Sequence, residues 1–184
     1  GSYYESRPEP LLRPTTSRPC RTDERLCTVK VETRSATAHD AEPIEALLPR
    51  LAAFDPLPPG RDRDDLWRPD LIGLRAWASD AQSDTSVRVA VSERTVVGAG
   101  IVTYGPDPFS GRPNAHLLAI VVAPSADGHG IGQRLMAELD DEARRRGAAT
   151  MSLNVFADNG RARMLYERLG FHEELIRAVR PLTS

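Results

Sequence analysis

The sequence predicts an α/β fold in which a buried strand leads through a glycine turn into a helix. A continuous apolar run over 117–123 is typical of a strand buried on both faces, and Pro124 ends it because proline has no N–H for a sheet ladder. From Ile131, apolar residues recur every four positions, which predicts an amphipathic helix. The flanking segments also carry both strand and helix patterns, so the predicted fold class is α/β.

Length and composition favour one domain in a chain of 184 residues with 40% apolar residues. The net charge of −2 does not indicate binding to nucleic acid. No segment resembles a membrane span or a signal peptide, so we expect no membrane partner. The two cysteines, Cys20 and Cys27, permit a disulfide but do not require one, and a reduced cytoplasmic protein is favoured. No metal site is predicted, since the histidines lack ligand spacing with these cysteines.

The rest of the chain contains further strand and helix patterns. Residues 1–28 are rich in Pro, Arg, Thr and Ser without periodicity, which predicts a flexible arm or tag remnant before a domain over 29–184. Gly98 and Gly100 lie inside a strand pattern, which indicates a bulge or a close approach. The predicted strands cover 29–33, 87–92, 95–104, 116–123, 151–156 and 174–180. The predicted helices run from after 37–40 to about Phe54, over 64–79 with a break at Pro69 left open, over 131–146, and over a segment capped by Asp158 or Asn159.

The turn after the apolar run contains Gly128, Gly130 and Gly132 directly before and within the start of a helix. Helix N-termini have free N–H groups and partial positive charge, and glycines let a phosphate approach the backbone. A phosphate-bearing cofactor is therefore the first hypothesis, and a turn without a ligand is the alternative. A dinucleotide motif would need glycine where Gln133 stands, and a P-loop would need Lys-Ser/Thr after Gly132.

Two stretches in this order resemble the GNAT superfamily of N-acetyltransferases. Residues 127–132 are similar to the family's pyrophosphate loop, Gln/Arg-x-x-Gly-x-Gly/Ala, but Asp127 stands where a basic or amide residue is usual. Residues 159–171 also resemble the family, in the pattern Asn-x-x-Ala-x-x-x-Tyr-x-x-x-Gly-Phe. The specific resemblance covers about 85–175.

The resemblance implies a single GNAT-like domain with a mixed, mostly antiparallel central sheet flanked by helices on both faces. It implies acetyl-CoA as acyl donor, with the pantetheine arm pairing like an extra strand where two neighbouring strands splay apart. The implied cofactor-binding residues are Ile120, Val121, Val122, Asp127, Gly128, His129, Gly130, Ile131, Gly132, Gln133, Asn159, Arg163 and Tyr166. Among these, the Val122 N–H is also a candidate donor to the oxyanion that develops on the thioester.

The resemblance also implies a division of catalytic roles. Tyr166 stands where the family places the general acid that protonates the departing thiolate. Many members have a base glutamate on the central strand, but the comparable positions here are Leu118 and Ala119. His116 is the nearest titratable group and is the candidate base. Asp107 acting through water, or no dedicated base, are the alternatives.

We therefore expect an N-acetyltransferase that transfers the acetyl group of acetyl-CoA to a primary amine by direct attack. The acceptor is a small molecule or a protein, and the sequence does not distinguish them. The sequence is also compatible with a homodimer. The alternative is a non-catalytic acyl-CoA-binding sensor with the same fold, which the missing glutamate and Asp127 keep in consideration.

Overall fold

The computed structural model describes residues 30–80, 84–180 and 182. Within them, the strands form one sheet in the order β1-β2-β3-β4-β5. The pairs from β1 to β4 are antiparallel, and β5 lies parallel to β4. The predicted mixed, mostly antiparallel α/β fold is therefore confirmed. The strands are β1 (Val31–Ser35), β2 (Thr85–Ser92), β3 (Thr95–Pro106), β4 (Pro113–Val122) and β5 (Thr150–Leu153).

Helices cover both faces of this sheet. On one face pack α1 (Ala41–Glu45) and α2 (Arg68–Ala78), and on the other pack α3 (Ile131–Arg145) and α4 (Gly160–Arg168). Leu74 of α2 and Leu139 of α3 are both fully buried, in separate clusters on the two sides of the sheet. In the described part of the chain, no helix has the length and apolarity that a membrane span requires.

The prediction of one continuous helix from after 37–40 to about Phe54 is wrong. The segment contains a 3-10 turn at Ala38–Asp40, the short helix α1, and a 3-10 helix at Leu48–Ala52. Pro49 lies inside the interrupted part, where it removes a backbone donor and restricts the residue before it. The second predicted helix is confirmed in its main part, α2, which a 3-10 turn at Arg63–Leu66 precedes.

The two glycines predicted to mark a bulge or close approach lie where α3 contacts the sheet. A Cβ at Gly100 would stand 2.6 Å from Leu139 Cδ1, and a Cβ at Gly98 would stand 3.2 Å from Ile131 Cγ2. Register shifts also interrupt the pairing of β3 with both neighbouring strands. The absence of side chains at these positions lets α3 lie close to β3.

The final strand predicted over 174–180 is wrong. These residues are extended or irregular and pair with no described strand, and Leu175, Ile176 and Val179 are largely exposed. A residue pattern suited to a strand forms one only where a partner edge packs against it. The predicted arm over 1–28 and both cysteines lie outside the described residues.

Candidate active site

The neighbouring strands β4 and β5 separate halfway along β4. Their pairing runs from Asn114 opposite Thr150 to Leu117 opposite Leu153, where β5 ends. β4 continues to Val122, so its far half has no strand on the β5 side among the described residues. A register shift against β3 leaves Leu118 without an opposite residue, and such bulges bend a strand. We call the opening beside residues 118–122 of β4 the strand cleft.

The backbone of β4 presents hydrogen-bonding groups to the strand cleft. The Ala123 N–H donates to the Val97 carbonyl at 2.8 Å, which fixes the phase of the antiparallel ladder. Because alternate residues of such a ladder bond to the same side, Ile120 and Val122 direct their N–H and C=O groups toward the cleft. Val121 directs its backbone to β3, and its side chain is buried in the core.

The glycine loop adjoins the end of this cleft. A 3-10 turn at Pro124–Ala126 ends β4, and α3 begins at Ile131. Gly128 and Gly130 have φ values of +79° and +71°, in the left-handed region that favours glycine. A Cβ at Gly128 would meet nothing within 4 Å, so the loop borders open space.

The start of α3 leaves several predicted residues with free backbone donors. The first backbone bond of the helix runs from the Arg134 N–H to the Gly130 carbonyl, which leaves the N–H groups of Ile131, Gly132 and Gln133 at the exposed helix end. The Ile131 side chain is buried in the core, so only its backbone is available to a ligand. His129 Nδ1 lies 2.9 Å from the Asp127 carbonyl oxygen and is therefore engaged within the loop.

The unusual acid of the loop is ion-paired with two arginines. Asp127 Oδ2 lies 3.0 Å from Arg50 Nη2 and 3.3 Å from Arg161 Nη2. Partial burial opposes ionisation of this carboxyl, but the contacts with Arg50 and Arg161 outweigh it and hold the pKa of Asp127 below its ordinary value. The cluster of Asp127, Arg50 and Arg161 carries one negative and two positive charges, so its net charge beside the helix N-terminus is positive. The expected repulsion of an anion by Asp127 is thus offset by Arg50 and Arg161, which the sequence analysis did not identify.

The two other polar residues predicted to contact the cofactor lie at the start of α4. Asn159 Oδ1 accepts a hydrogen bond of 3.1 Å from the Ala162 N–H and caps the helix. Arg163 donates to the Ala157 carbonyl at 3.2 Å and forms an ion pair with Glu173. Both side chains therefore have structural partners, and their contact with a cofactor stays a prediction.

The predicted general acid, Tyr166, lies on α4 and packs against the cluster between α3 and the sheet. Its ring meets Phe171 edge-on, with centroids 5.8 Å apart. The pKa of Tyr166 is raised to about 12, mainly by burial and to a smaller extent by the charge of Asp70. The phenol therefore stays protonated at neutral pH, as a proton donor requires.

The predicted base, His116, belongs to a polar ladder across β4 and β5. Its Nδ1 lies 2.9 Å from Ser152 Oγ, which also accepts a 3.0 Å hydrogen bond from Asn114 Nδ2. Its Nε2 lies 3.4 Å from Asn154 Nδ2. Burial lowers the pKa of His116, so the ring is neutral near pH 7. The other predicted base, Asp107, caps the hairpin at the opposite end of β4 by accepting hydrogen bonds from Ser110.

Asp70, on the first turn of α2, is a further acid that the sequence analysis did not identify. Burial raises its pKa to about 6, and its carboxylate has no hydrogen-bond or ion-pair partner among residues 30–80 and 84–180. A sequence signal for it did exist. Asp70 stands four residues after Leu66, four before Leu74 and seven before Trp77, which places one charge in the middle of the apolar face of the helix.

The strand cleft, the glycine loop and Tyr166 all lie within residues 49–171. A family model described as Acetyltransferase (GNAT) family matches residues 49–171. The chain therefore belongs to the GNAT acetyltransferase family, and the resemblance of the two motifs is confirmed.

Comparison with individual proteins supports the same assignment. The [ribosomal protein bS18]-alanine N-acetyltransferase of Escherichia coli (strain K12) is 46% identical over 63 residues, which are 34% of this chain and 43% of the relative. The chain thus matches less than half the length of this curated relative. The L-methionine sulfoximine/L-methionine sulfone acetyltransferase of Salmonella typhimurium (strain LT2) is 33% identical over 84 residues, 45% of this chain and 49% of the relative.

A solved structure shares the fold. The ribosomal-protein-alanine N-acetyltransferase of Brucella melitensis biovar Abortus 2308 superposes with a TM-score of 0.61 at 22% identity, and the match covers 83% of this chain and 100% of that one. At this identity the likeness shows the fold alone.

Proposed function

We propose that the protein is an N-acetyltransferase that transfers the acetyl group of acetyl-CoA to a primary amine. The observation that carries the proposal is the strand cleft, which adjoins the glycine loop at one end and whose Ile120 packs against the same apolar cluster as Tyr166. An extended molecule with amides along its length and phosphates at one end matches both features, because the cleft offers strand-type donors and acceptors and the loop attracts anions. When bound, acetyl-CoA provides the acetyl group as a reactive thioester.

The residues of the cleft would hold the amide-rich arm of the donor. Ile120 and Val122 direct backbone groups into the opening, as an edge strand does toward an added strand. The Val122 N–H would stabilise negative charge on a carbonyl oxygen in the same opening. Val121 contributes through its buried side chain, which keeps this part of β4 packed on the core.

The glycine loop and its arginines would hold the phosphates. The N–H groups of Gly132 and Gln133 lie at the N-terminus of a 15-residue helix, where the macrodipole favours an anion. Arg50, only 25% exposed, is held beside the loop by Asp127, whereas Arg161 is 78% exposed. Less of the charge of Arg50 is screened by water, so we assign it the larger share of the electrostatic attraction.

Tyr166 would protonate the departing sulfur, and His116 stays the base predicted from the sequence. The acceptor is a primary amine of a small molecule or a protein. An N-terminal alanine is the first to test, because one relative is named for that activity. A cytoplasmic location belongs to the same proposal, and the oligomeric state, including a homodimer, is open to measurement by light scattering.

Thermal unfolding with acetyl-CoA, NAD and ATP in parallel tests the donor. Acetyl-CoA at 100 times its dissociation constant should stabilise the fold by about 2.7 kcal/mol, and NAD and ATP should not. Arg50→Gln should weaken acetyl-CoA binding about tenfold, since a charge-assisted hydrogen bond contributes about 1.5–3 kcal/mol before partial screening. Arg75→Gln is the matched control, because Arg75 pairs with Glu45 on another part of the surface.

Release of free thiol from acetyl-CoA in the presence of amines tests the transfer. The amines are a hexapeptide with a free N-terminal alanine, lysine, spermidine and an aminoglycoside. Thiol release that depends on one of them supports the enzyme. Tight binding of acetyl-CoA without release by any amine would favour the sensor alternative, and no binding of acetyl-CoA would refute both.

A further inference from the structure

Asp70 lies on the face of α2 that packs against β4. Leu74, one turn further along the helix, is fully buried. A Cβ at Gly73, three residues after Asp70, would lie 3.2 Å from Leu118 Cδ1 of β4. Residues at these spacings share one side of a helix, so the Asp70 side chain also projects toward β4 near the strand cleft.

A purely structural role does not account for this carboxylate. Asp70 occupies the third position of α2, where an acid often bonds back to the N-cap, but no such bond to Trp67 is present. The nearby exposed acid Asp64 pairs with Arg68 at 3.2 Å. Asp70 is half-buried and has no such partner among the described residues. An unpartnered, half-buried carboxylate is costly to keep, and such groups are concentrated at functional sites.

Asp70 lies within electrostatic reach of the candidate general acid. The charge of Asp70 contributes to the raised pKa of Tyr166, so the two groups lie within electrostatic reach across the boundary between α2 and α4. On α2, Arg68 and Arg75 are paired with Asp64 and Glu45. On β4, His116 lies on the side of the sheet that faces α2, because its neighbours Ala115 and Leu117 belong to the cluster on the α3 side. The cation that would balance Asp70 is therefore not supplied by these arginines.

We propose that Asp70 binds the ammonium group of the acceptor and takes its proton. This inference rests on the proposed function, and it assigns the role of the base to Asp70 in place of His116, since the central strand lacks the family's glutamate. An acceptor amine is a cation at neutral pH, and it satisfies a half-buried carboxylate that has no other partner.

The acceptor R–NH₃⁺ gives one proton to the Asp70 carboxylate, and the neutral nitrogen attacks the thioester carbon. The new C–N bond forms, the C–S bond breaks, and sulfur receives the Tyr166 proton. The second proton that leaves nitrogen returns to the Tyr166 oxygen, and Asp70 releases its proton to water. The products are an N-acetyl amide, CoA thiol and one released proton.

Asp70→Asn tests the proposal, and Asp64→Asn is the matched control on the same segment of chain. The probe is the hexapeptide with a free N-terminal alanine, or whichever amine in the panel releases most thiol. We expect Asp70→Asn to lower kcat/KM for the amine at pH 7 by at least 100-fold, with acetyl-CoA affinity changed less than twofold. Asp64→Asn should change neither. A kcat/KM for Asp70→Asn within threefold of the wild type would overturn the proposal.

The pH profile provides a second readout. In the wild type, kcat/KM should rise with pH through an apparent pKa of about 6, because the carboxylate must be ionised to accept a proton. In Asp70→Asn this limb should be absent, whereas His116→Gln should retain it. If His116→Gln removes the limb and Asp70→Asn keeps it, His116 is the base and Asp70 is not.

A third readout does not depend on acetyl transfer. With carboxyl-¹³C-labelled aspartate, the Asp70 resonance is identified by its absence in Asp70→Asn, and the hexapeptide is titrated into the wild-type protein. Binding of the amine should shift this resonance and lower the pKa of Asp70. No shift with any amine of the panel would refute the proposal. A shift in a protein that does not bind acetyl-CoA would instead refute the proposed function and leave the amine site standing.

Discussion

The contact between Gly100 and Leu139 allows a quantitative test of how α3 packs on the sheet. Replacement of Gly100 by alanine would place a methyl group 2.6 Å from Leu139 Cδ1, whereas carbon atoms prefer about 3.5–4.0 Å. Leu139 has no exposed surface, so it has little room to move away. Overpacking of this kind costs about 1–3 kcal/mol, and the lower backbone entropy of alanine in a strand returns about 0.5–1 kcal/mol. We expect Gly100→Ala to lower the free energy of unfolding by about 1–2 kcal/mol.

A double-mutant cycle isolates the contact. Leu139→Ala alone should cost about 3 kcal/mol, since it removes a fully buried leucine and leaves a cavity. In the double variant the clash is gone and the new methyl group fills part of that cavity. The double variant should therefore be more stable than the sum of the single effects predicts, by at least about 1 kcal/mol.

Urea unfolding followed by circular dichroism provides the free energies. Gly105→Ala is the control in the same strand, because a Cβ there would meet nothing within 4 Å. It should change the free energy of unfolding by less than about 0.5 kcal/mol. The reasoning is refuted if Gly100→Ala is as neutral as this control, or if the two substitutions in the cycle are additive.

Three other substitutions test the site and the fold. Tyr166→Phe should preserve acetyl-CoA affinity in calorimetry and slow turnover about 100-fold or more, and an equal loss of affinity would contradict its role as proton donor. Gly130→Val should abolish detectable acetyl-CoA binding, because Gly130 has a φ of +71° that valine does not tolerate, while a retained thermal shift would exclude this loop as the phosphate site. Asp40→Asn should destabilise the fold by about 2 kcal/mol at pH 7, since it breaks the paired hydrogen bonds of 2.8 Å from Arg34 to this buried carboxylate. The Arg34 contact holds the pKa of Asp40 well below its unfolded value. The stabilisation is therefore complete above about pH 4 and is lost as the pH falls toward the folded pKa. Urea unfolding should show a smaller difference between variant and wild type at pH 2 than at pH 7.

Local patterns were sufficient to predict the centre of the fold. The apolar run, Pro124, the glycines and the four-residue periodicity of α3 each act within a few neighbouring residues, and β4, the loop and α3 lie where they were expected. The single helix predicted to end near Phe54 was wrong because the apolar periodicity continues through Pro49, whereas the backbone changes there to 3-10 hydrogen bonds. The strand over 174–180 was wrong because the pattern contains no information on whether a partner strand is present.

The candidate site was predictable only where its parts are close in sequence. Arg50 and Asp127 are 77 positions apart, so no local motif links the arginine to the loop. Asp70 could have been found, because it interrupts the apolar face of α2. The family resemblance instead predicts a base on the central strand, and this carboxylate lies on a different element.

The ion pairs of Asp127 have a consequence for how this loop can vary. The charge that a ligand meets here is set jointly by three segments of the chain, since Arg50 precedes α2 and Arg161 belongs to α4. A position of the motif can therefore hold an acid without making the loop repel anions, provided that distant residues supply the cations. The reverse also holds, because a substitution at Arg50 or Arg161 would alter the affinity of the loop while leaving its motif intact. Inspection of the six loop residues alone would then give the wrong sign for its electrostatic potential.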